Sequence, residues 1–273
     1  MFDHHGRFVW YDLSTTDPGA AKAFYSEVMG WGTRDMSMPG IAYTAFTVSE
    51  APVCGLINLP DEATNKGAKP RWIGYIGVKD VDATADRINE LGGRVLAPPT
   101  DVFNFSRFAI VADPQMAMFA LVMWLIPGQE RQIEPDAPGL VGWHELLAAD
   151  PKTALAFYSA LFGWQKAEAS VGAMGTYQLF CVDKRTIGGM APKPGTVSIP
   201  SWVYYFRVGD IDAAAKRVKA GGGQVLEGPI EVPGGSWVIQ CIDPQNAIFA
   251  LVGKRKYKAV VRFRPFALRN TSA

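Results

Sequence analysis

The chain has 273 residues, of which 48% are hydrophobic and 19% charged, and its formal net charge at pH 7 is +1. This length is enough for two hydrophobic cores of ordinary size, and the near-neutral charge argues against a general preference for polyanions. No run approaches the roughly 20 apolar residues of a transmembrane helix, and residues 1–7 lack the apolar segment of a signal peptide. We therefore expect a cytoplasmic protein that does not associate with membranes.

One structural unit occurs twice in the sequence. Six positions of the first copy recur 133 residues later, with Trp10, Asp17, Pro18, Tyr25, Gly30 and Trp31 matched by Trp143, Asp150, Pro151, Tyr158, Gly163 and Trp164. Towards the end of each copy the offset is 130, as for Trp72 and Trp202. A repeat of this length decides the fold, and it indicates two domains. We predict a first domain over residues 1–125, a proline-rich linker over 126–139, a second domain over 140–253 and a basic C-terminal segment over 254–273.

Each copy is itself built from two similar units. Residues 8–13 show the alternation of a half-buried strand. Asp17 is placed to cap a helix that has Pro18 in its first turn and ends at Gly30. The elements predicted next are strands over residues 43–48, 53–59 and 72–78, a helix over 81–91, and strands over 94–97, 106–111 and 118–124. The order β-α-β-β-β is therefore predicted twice in each domain, and the fold class is α+β.

Three motifs carry a resemblance to a known family. They are the Asp-Pro…Phe-Tyr…Gly-Trp helix, the Val-x-Asp-x-Asp entry to the second helix at residues 78–82 and 208–212, and the Asp-Pro-Gln hairpin before the last strand. In order, spacing and duplication they resemble the vicinal oxygen chelate superfamily, which includes glyoxalase I, bleomycin-resistance proteins and extradiol dioxygenases, over roughly residues 7–125 and 140–253. The resemblance implies tandem glyoxalase-fold domains, in which paired β-α-β-β-β modules curl into a cup that holds a divalent metal and a small substrate.

The resemblance also implies where metal ligands would stand, and this chain has apolar side chains there. These positions hold Trp10 and Trp143, Ile73 and Val203, and Ala120 and Ala250, and the fourth strands carry no carboxylate. Divalent metals need oxygen, imidazole or thiolate donors, so we expect no metal and no cofactor in either cup. A relocated centre would have to combine His144 with His4 and His5 of the N-terminus, which we expect to be flexible. Alternation along the strand turns His144 away from the cup.

Aromatic and acidic side chains remain on the predicted cup faces. Strand alternation puts Trp10, Asp12 and Tyr75 into the first cup, and Trp143, Glu145, Tyr205 and Arg207 into the second. Aromatic walls with a few polar groups are the usual lining of a small-molecule site, and a carboxylate among them tends to have a raised pKa suited to proton transfer. We predict Glu145 and Asp12 as catalytic residues and the five others as ligand-binding residues. The alternative is structural: Glu145 and Arg207 form a buried ion pair, and the tryptophans fill the core.

The two copies differ on these faces. The second has Glu145, Arg207 and Gln240 where the first has Asp12, Gly77 and Ile110. The second cup is therefore the more polar one, and we predict it to be the ligand site.

Two further expectations concern local structure. The usual glycine of the hairpin before the last strand is Met116 in one copy and Asn246 in the other. Asparagine tolerates a positive φ better than methionine does, so we expect the first hairpin to be altered. Cys54, Cys181 and Cys241 fall at unmatched positions of the repeat and are expected to be buried free thiols.

The C-terminal segment is strongly basic. From Lys254 to Ala273 there are seven basic residues and no acidic one, which leaves the preceding residues with a net charge of −6. The segment packs against this acidic body or against a second subunit, as in a homodimer, or it is disordered; binding to nucleic acid or acidic lipid is the remaining alternative. Because no aromatic-basic patch occurs elsewhere, nucleic acid is not the expected partner.

Three functions fit these observations. The first is a metal-free glyoxalase-fold protein that binds a small hydrophobic or aromatic metabolite and, where Glu145 or Asp12 acts as a base, transforms it. The second is a metal-dependent lyase of the lactoylglutathione lyase type, or a dioxygenase, with a relocated metal site. The third is a non-catalytic protein that sequesters its ligand, as bleomycin-resistance proteins do. The sequence leaves open whether the protein is an enzyme.

Overall fold

The structure is a computed structural model that describes residues 4–103, 105–125, 136–167, 170–172 and 175–256. Over these residues each repeat forms one mixed β-sheet with helices. The predicted linker is described only from residue 136 and the predicted C-terminal segment only to residue 256, so the rest of both lies outside the described residues. Within the described ranges no helix is both long and apolar enough to span a membrane.

The first repeat forms a sheet of eight strands. Its elements are β1 (Phe8–Thr15), α1 (Pro18–Met29), β2 (Gly32–Asp35), β3 (Tyr43–Val48), β4 (Ala51–Asn58), α2 (Asp61–Asn65), β5 (Arg71–Gly77), α3 (Val81–Glu90), β6 (Arg94–Val102), β7 (Ser106–Ala112) and β8 (Met118–Trp124). The strand order is β2-β3-β4-β1-β5-β8-β7-β6. The two modules meet where β1 and β5 pair antiparallel, while β1 is parallel to β4 and β5 to β8.

The second repeat forms the same sheet with one small addition. Its elements are β9 (Val141–Ala148), α4 (Pro151–Phe162), β10 (Gln165–Lys166), β11 (Ser170–Gly172), β12 (Gly175–Val182), β13 (Arg185–Pro192), β14 (Ser201–Val208), α5 (Ile211–Ala220), β15 (Gln224–Val232), β16 (Ser236–Ile242) and β17 (Ile248–Gly253). The order is β10-β12-β13-β9-β14-β17-β16-β15, and β11 pairs only with β12. The predicted α+β fold of two β-α-β-β-β modules per domain is confirmed.

The helices that begin each repeat start and end where the sequence predicts. The Asp17 side chain accepts a hydrogen bond from the backbone N–H of Ala20, and Gly30 ends α1 with a φ of 73°. In α4 the same capping is made by Asp150, and Gly163 has the same φ of 73°. Both ends therefore follow local chemistry, a side-chain acceptor at the first turn and a left-handed glycine after the last.

The two domains share one hydrophobic core. A single cluster of buried residues includes members of both sheets and of α1, α3, α4 and α5. Phe24 of α1 packs on Phe249 of the second sheet with ring centroids 5.8 Å apart, and Tyr158 of α4 packs on Phe119 of the first sheet at 5.5 Å. Because the face of each sheet that carries the helices is turned to this core, the opposite faces, which are the cups, point outwards.

Two equivalent chains of hydrogen bonds cross between the domains, and we call them the tyrosine bridges. In the first, Trp72 Nε1 donates to the Tyr25 hydroxyl at 3.0 Å, and Tyr25 donates to Asp243 Oδ2 of the other domain at 3.0 Å. Asp243 Oδ1 also accepts from the backbone N–H groups of Gln245 and Ala247 in its own hairpin. One buried carboxylate therefore fixes its own hairpin and the helix of the other domain.

The second bridge repeats the first with the domains exchanged. Trp202 Nε1 donates to the Tyr158 hydroxyl at 3.1 Å, and Tyr158 donates to Asp113 Oδ2 at 3.1 Å. The residues are those of the first bridge shifted by the repeat offset. The domains are thus related by an approximate twofold axis that passes between them.

Residues on this axis contact their own counterparts. Tyr11 and His144, which are equivalent in the repeat, lie 2.6 Å apart between the hydroxyl and Nε2. His144 Nδ1 lies 2.8 Å from the carbonyl oxygen of Ile187 and donates to it, so Nε2 accepts the Tyr11 hydroxyl hydrogen. Gly74 and Tyr204 are a second such pair among the described residues, since the Gly74 N–H donates to the Tyr204 hydroxyl at 2.7 Å. His144 is therefore a buried interface residue on the face opposite the cup.

Several predicted details of the first domain are wrong. The sequence analysis missed β2, which is exposed along its whole length and so lacks a hydrophobic pattern. Strand β6 continues past residue 97 through Pro98 and Pro99, which is possible because β6 is the edge of the sheet and its pairing with β7 is irregular between Ala97 and Thr100, where the two prolines lie.

The hairpin at Met116 is also not altered as predicted. Met116 adopts a φ of 73° and Asn246 one of 71°. The two turns make the same backbone hydrogen bond, from Met116 to Asp113 and from Asn246 to Asp243. Because Asp113 must reach Tyr158 across the interface, the tertiary contact holds the turn against the preference of methionine.

The described residues at the N-terminus are held against the second domain. The expected flexibility of the N-terminus does not extend to Gly6, whose carbonyl accepts a hydrogen bond from Trp164 Nε1 at 2.7 Å.

All three cysteines are free; Cys54 and Cys241 are buried as predicted, and Cys181 is half-buried.

Removing either bridging hydroxyl should destabilise the protein. Tyr25→Phe and Tyr158→Phe each leave a buried carboxylate oxygen and an indole N–H without a partner, and we expect a loss of about 1–3 kcal/mol in the free energy of unfolding. Chemical denaturation measures it. In a double-mutant cycle Tyr25→Phe should couple to Asp243→Asn, while Tyr25→Phe with Asp113→Asn, which belongs to the other bridge, should be additive within about 0.5 kcal/mol. Additivity in both cycles would contradict the bridges.

The stability of the fold should depend on pH through His144. Burial lowers the pKa of His144 to about 4, against the weaker opposite effect of the Ile187 carbonyl. The unfolded side chain titrates near about 6.5, so its contribution is fully present above that pH and is lost as the pH falls towards 4. The loss is of the order of 3 kcal/mol. The measurement is the difference in unfolding free energy between the native protein and His144→Gln from pH 7.5 to 4, since buried carboxylates contribute equally to both. A pH-independent difference would show that folding does not shift the pKa of His144, and a contribution that grew at low pH would show that the fold holds it protonated.

Candidate functional site

The cup face of the second sheet carries one row of side chains across five neighbouring strands. In pairing register from β9 to β15 the row is Trp143, Tyr205, Ala250, Gln240 and Glu227. Glu145 lies two residues after Trp143, beside Val203 of β14. Val203, together with Tyr205 and Ala250 of the row, forms a buried cluster that is separate from the shared core, and Trp143 and Val238 pack against it. The strand register therefore brings Trp143, Glu145 and Tyr205 together, as the sequence predicts.

Glu145 is the acceptor at the centre of this row. Its Oε2 accepts hydrogen bonds from the Tyr205 hydroxyl at 2.7 Å and from Gln240 Nε2 at 3.1 Å. Gln240 Nε2 also lies 2.9 Å from the Tyr205 hydroxyl. Glu145 is 8% exposed. A side chain this deeply buried and this well hydrogen-bonded has one defined orientation.

A second tyrosine fixes the tryptophan. Trp143 Nε1 donates to the Tyr177 hydroxyl at 2.9 Å. The ring of Tyr177 lies directly over Gly189, where any side chain would collide with it. The glycine of β13 therefore makes room for the tyrosine, and the tyrosine holds the indole edge so that the indole ring stands on the cup face.

The surroundings of Glu145 favour its protonated form more than exposure to water would. Burial is the main cause that raises the pKa of Glu145, hydrogen bonds from Tyr205 and Tyr177 act against it, and the negative charge of Glu227 raises it further. Burial and the Glu145 charge also raise the pKa of Tyr205, so its phenol remains a donor. A carboxylate in such surroundings is suited to accept or hold a proton at a defined atom.

The first cup repeats this arrangement with a shorter acid. Trp10 Nε1 donates to Asp12 Oδ1 at 2.7 Å and lies 2.9 Å from the Tyr43 hydroxyl. Tyr43 donates to the same Asp12 oxygen at 2.7 Å. Burial raises the pKa of Asp12, while hydrogen bonds from Tyr43, Tyr75 and Trp10 lower it. The predicted residues Trp10, Asp12 and Tyr75 therefore also lie together.

Arg207 does not join the second cluster. Its Nη2 pairs with Asp136 Oδ1 at 2.8 Å. The guanidinium lies over Gly142, where an added Cβ would stand 2.8 Å from Arg207 Cζ. The predicted meeting of Arg207 with Trp143 and Glu145 is therefore wrong, and so is the alternative in which Glu145 and Arg207 form a buried ion pair. The strand pairing is irregular between Tyr205 and Phe206, a break that simple alternation does not foresee.

The residues at the family's ligand positions do not fit a divalent metal. In the second cup these positions hold Trp143, Val203 and Ala250, which form the apolar wall just described. Among the residues that the structure describes, no group of three or more histidines, cysteines, aspartates and glutamates is arranged to hold a metal ion. Both nitrogens of His144 are engaged at the domain interface.

A cavity of about 350 Å³ opens near the N-terminal end of α1. Its lining includes Pro18 and Lys22 of α1 and Asp35, Ser37 and Asn58 from the adjoining strands and turn. Polar and charged groups of both signs surround it, and no buried unpartnered atom points into it among those described.

Sequence reasoning missed the two tyrosines that fix the tryptophans. Tyr43 and Tyr177 stand 134 positions apart, close to the repeat offset. Gly55 and Gly189, which make room for them, have the same offset. A tyrosine and a glycine recurring on adjacent strands was the signal that could have revealed them.

Comparison with known proteins gives a family match and full-length relatives. Residues 7–121 and 140–251 match the model of the Glyoxalase/Bleomycin resistance protein/Dioxygenase superfamily. CFP32 of Mycobacterium tuberculosis, which bears the name of a glyoxylase, is 35% identical over 89% of this chain and 93% of its own length. The anthracycline biosynthesis protein DauV of Streptomyces sp. strain C5 is 31% identical over 92% of this chain and 94% of its own length.

Solved structures share the fold at low sequence identity. The Mn(II)-bound glyoxalase from Novosphingobium aromaticivorans superposes with a TM-score of 0.61 at 17% identity, covering 91% of this chain and 81% of that one. An extradiol ring-cleaving dioxygenase from B. fuscum gives a TM-score of 0.64 at 14% identity, covering 92% of this chain and 72% of that one.

Proposed function

Because the chain belongs to the Glyoxalase/Bleomycin resistance protein/Dioxygenase superfamily, we propose that the cup of its second domain binds a small aromatic metabolite without the help of a divalent metal. The observation that carries the proposal is the hydrogen-bonded set of Trp143, Tyr177, Glu145, Tyr205 and Gln240 on the cup face. It joins an aromatic wall to two or three fixed polar groups, which is the composition of small-molecule sites in general.

The contacts of these residues give each of them a different role in ligand binding. Trp143 is half-buried and its indole edge is held by Tyr177, so one ring face is available for stacking. The partly buried Val238 supplies apolar surface beside it, above the buried Val203 and Ala250. Glu145 and Gln240 lie at the inner end and fix the polar end of the ligand. An aromatic ligand with one polar substituent matches this order of groups.

The metal-free part of the proposal rests on the donor set. Indole, valine and alanine stand where the family's ligands would stand, and none of them offers a lone pair suited to a divalent cation. Glu145 Oε2 accepts hydrogen bonds from Tyr205 and Gln240, and among the described residues no group of three or more potential ligands surrounds it. A relocated lyase or dioxygenase centre finds no support, because His144 lies across the sheet in the domain interface.

The relatives support the class of ligand. DauV and DnrV are named for anthracycline biosynthesis, and the anthracycline nucleus is a planar polycyclic ring system. A ligand of that shape would stack on Trp143. Glu145, which has a raised pKa, would then serve as the base for proton transfer at the ligand's polar end, and Asp12 holds the matching position in the first cup. A protein that only sequesters its ligand would use the same wall without this transfer.

We place the protein in the cytoplasm. Its three cysteines are free, and free thiols are the state expected in a reducing compartment.

Purified protein should carry no stoichiometric divalent metal. Elemental analysis after removal of any affinity tag measures manganese, iron, nickel and zinc per chain, and we expect each far below one equivalent. Dialysis against a chelator should leave ligand binding unchanged. One tightly held metal ion per chain, lost together with an activity on chelation, would refute the metal-free proposal.

Truncating Trp143 should weaken binding of an aromatic probe. With the neutral probe 2-(hydroxymethyl)anthraquinone, Trp143→Ala should lose at least ~1 kcal/mol of binding free energy, about fivefold in Kd. Isothermal titration calorimetry measures it. Trp10→Ala, the same change in the first cup, is the control and should stay within about twofold of the native Kd. Glu145→Gln keeps the shape and should also spare the binding of this neutral probe, while abolishing proton transfer. A loss confined to Trp10→Ala would move the site to the first domain.

A further inference from the structure

The cup face of the second domain continues past Trp143 in a further row of side chains. In pairing register from β14 to β15 this row is Arg207, Val252, Val238 and Ile230. Val252 and Val238 pack against the buried cluster of this cup. Because residues paired across neighbouring strands point to the same face of a sheet, Arg207 also stands on the cup face.

Arg207 lies across the strand that carries Trp143. An added Cβ on Gly142 would stand 2.8 Å from both Nε and Cζ of Arg207 and 2.9 Å from its Cγ. The pairing of β9 with β14 shifts by one residue at this point, so Gly142 is the extra residue of a bulge beside Trp143. Arg207 therefore borders the Trp143 site on the side away from Glu145.

Two guanidinium groups share one carboxylate oxygen at this border. Nη2 of Arg207 and Nη2 of Arg185 lie 2.8 Å and 3.7 Å from the same Asp136 Oδ1. Two positive charges and one negative charge leave the group with an excess of one positive charge. Arg207 Nε is buried and has no hydrogen-bond partner among the described residues. The Asp136 side chain is 75% exposed, and an ion pair so exposed is weak, so the carboxylate of a ligand can exchange with it at low cost.

The two arginines distinguish the second cup from the first. Arg207 and Arg185 correspond to Gly77 and Ala51 in the first copy. The space beside Gly77 is taken by the His4 backbone, whose carbonyl oxygen would stand 2.6 Å from an added Cβ. Both cups keep a tryptophan and an acid, but only the second has these two cations.

We propose that the aromatic ligand of the second cup carries an anionic group, such as a carboxylate, which Arg207 and Arg185 bind while the rings stack on Trp143. The proposal rests on the function proposed above and adds the chemical class of the ligand, an aromatic acid. A guanidinium group matches the two oxygens of a carboxylate with parallel N–H donors. Asp136 then holds the arginines in position until the ligand takes its place.

The spacing along the strands fits a polycyclic ligand in one orientation. Val203, which lies beside Glu145, is four residues from Arg207 on β14, and at ~3.3 Å per residue this is about 13 Å. The ring of Trp143 stands between these two ends. Glu145 and Glu227 lie at the far end and disfavour an anion there, so the acidic group of the ligand is directed to the arginines.

The test compares anthraquinone-2-carboxylate with the neutral 2-(hydroxymethyl)anthraquinone on the full chain by isothermal titration calorimetry at pH 7.5. The carboxylate should bind about tenfold or more tightly. Equal affinities, with the neutral probe still dependent on Trp143, would overturn the acid proposal and leave the proposed function standing. Failure of the carboxylate to bind would also overturn it.

Arginine variants locate the acid site. Arg207→Met keeps the side-chain stem over Gly142 and removes the charge, so it should weaken carboxylate binding about tenfold and leave the neutral probe within about twofold. Arg185→Met, in an exposed side chain, covers the case in which Arg207→Met does not fold and should weaken the carboxylate at least about threefold. Arg107→Met, which removes an ion-paired arginine from the first domain, is the control. An equal loss in this control, or unchanged binding in both second-cup variants, would overturn the proposal.

The aspartate variant should have the opposite effect. Asp136→Asn removes the carboxylate that competes with the ligand, so we expect carboxylate binding about threefold tighter and unchanged binding of the neutral probe. A purely structural ion pair would not give this gain. Weaker carboxylate binding in folded Asp136→Asn would contradict the exchange and overturn the proposal.

Discussion

The structure depends on two buried aspartates that each belong to one domain and accept a hydrogen bond from the other. Asp243 receives backbone N–H groups of its own hairpin and the hydroxyl of Tyr25, and Asp113 is bound by its hairpin and Tyr158 in the same way. A buried carboxylate is costly unless its oxygens are satisfied, so neither the hairpin nor the helix reaches its lowest free energy without the other domain. The helix and hairpin motifs that identify the family are therefore motifs of the domain interface.

This explains why a family resemblance says little about chemistry here. Once the interface fixes which face of each sheet is turned inwards, the period of two along a strand sends alternate residues to the cups. Tyr11 and His144 go to the interface, and their neighbours Asp12 and Glu145 go to the cups. Cup residues are free to change without disturbing the interface, and it is there that the family's metal positions carry indole, valine and alanine.

The parts of the fold that could be read from the sequence are those set by local chemistry or strict alternation. The caps at Asp17 and Gly30 and the pairing of Trp143 with Glu145 on one face are of this kind. What could not be read depends on neighbours distant in sequence. The left-handed Met116 is held by a contact with the other domain, β2 is defined by pairing with β3 and not by burial, and Arg207 is displaced by a strand irregularity towards Asp136. Tyr43 was missed because its partner Asp12 lies two strands away in the sheet.

The two copies have diverged in a pattern that follows the approximate twofold axis. Away from the axis an interface residue contacts a residue that is not its counterpart. The same residue type can therefore be kept in both copies, as Tyr25 and Tyr158 show. On the axis a residue meets its own counterpart, so the two copies must carry complementary side chains there, as Tyr11 and His144 do by sharing a hydrogen bond. Gly74 therefore faces Tyr204, where any side chain on the glycine would collide with the tyrosine ring. Cup positions are under neither constraint, because they face away from the axis and from the shared core. Their differences are chemical and not steric: Gln240 for Ile110 beside the acid, and Lys254 for Trp124 at the rim. The two cups could diverge in chemistry because neither the domain interface nor the shared core constrains these positions, whereas the residues on the axis could change only in complementary pairs.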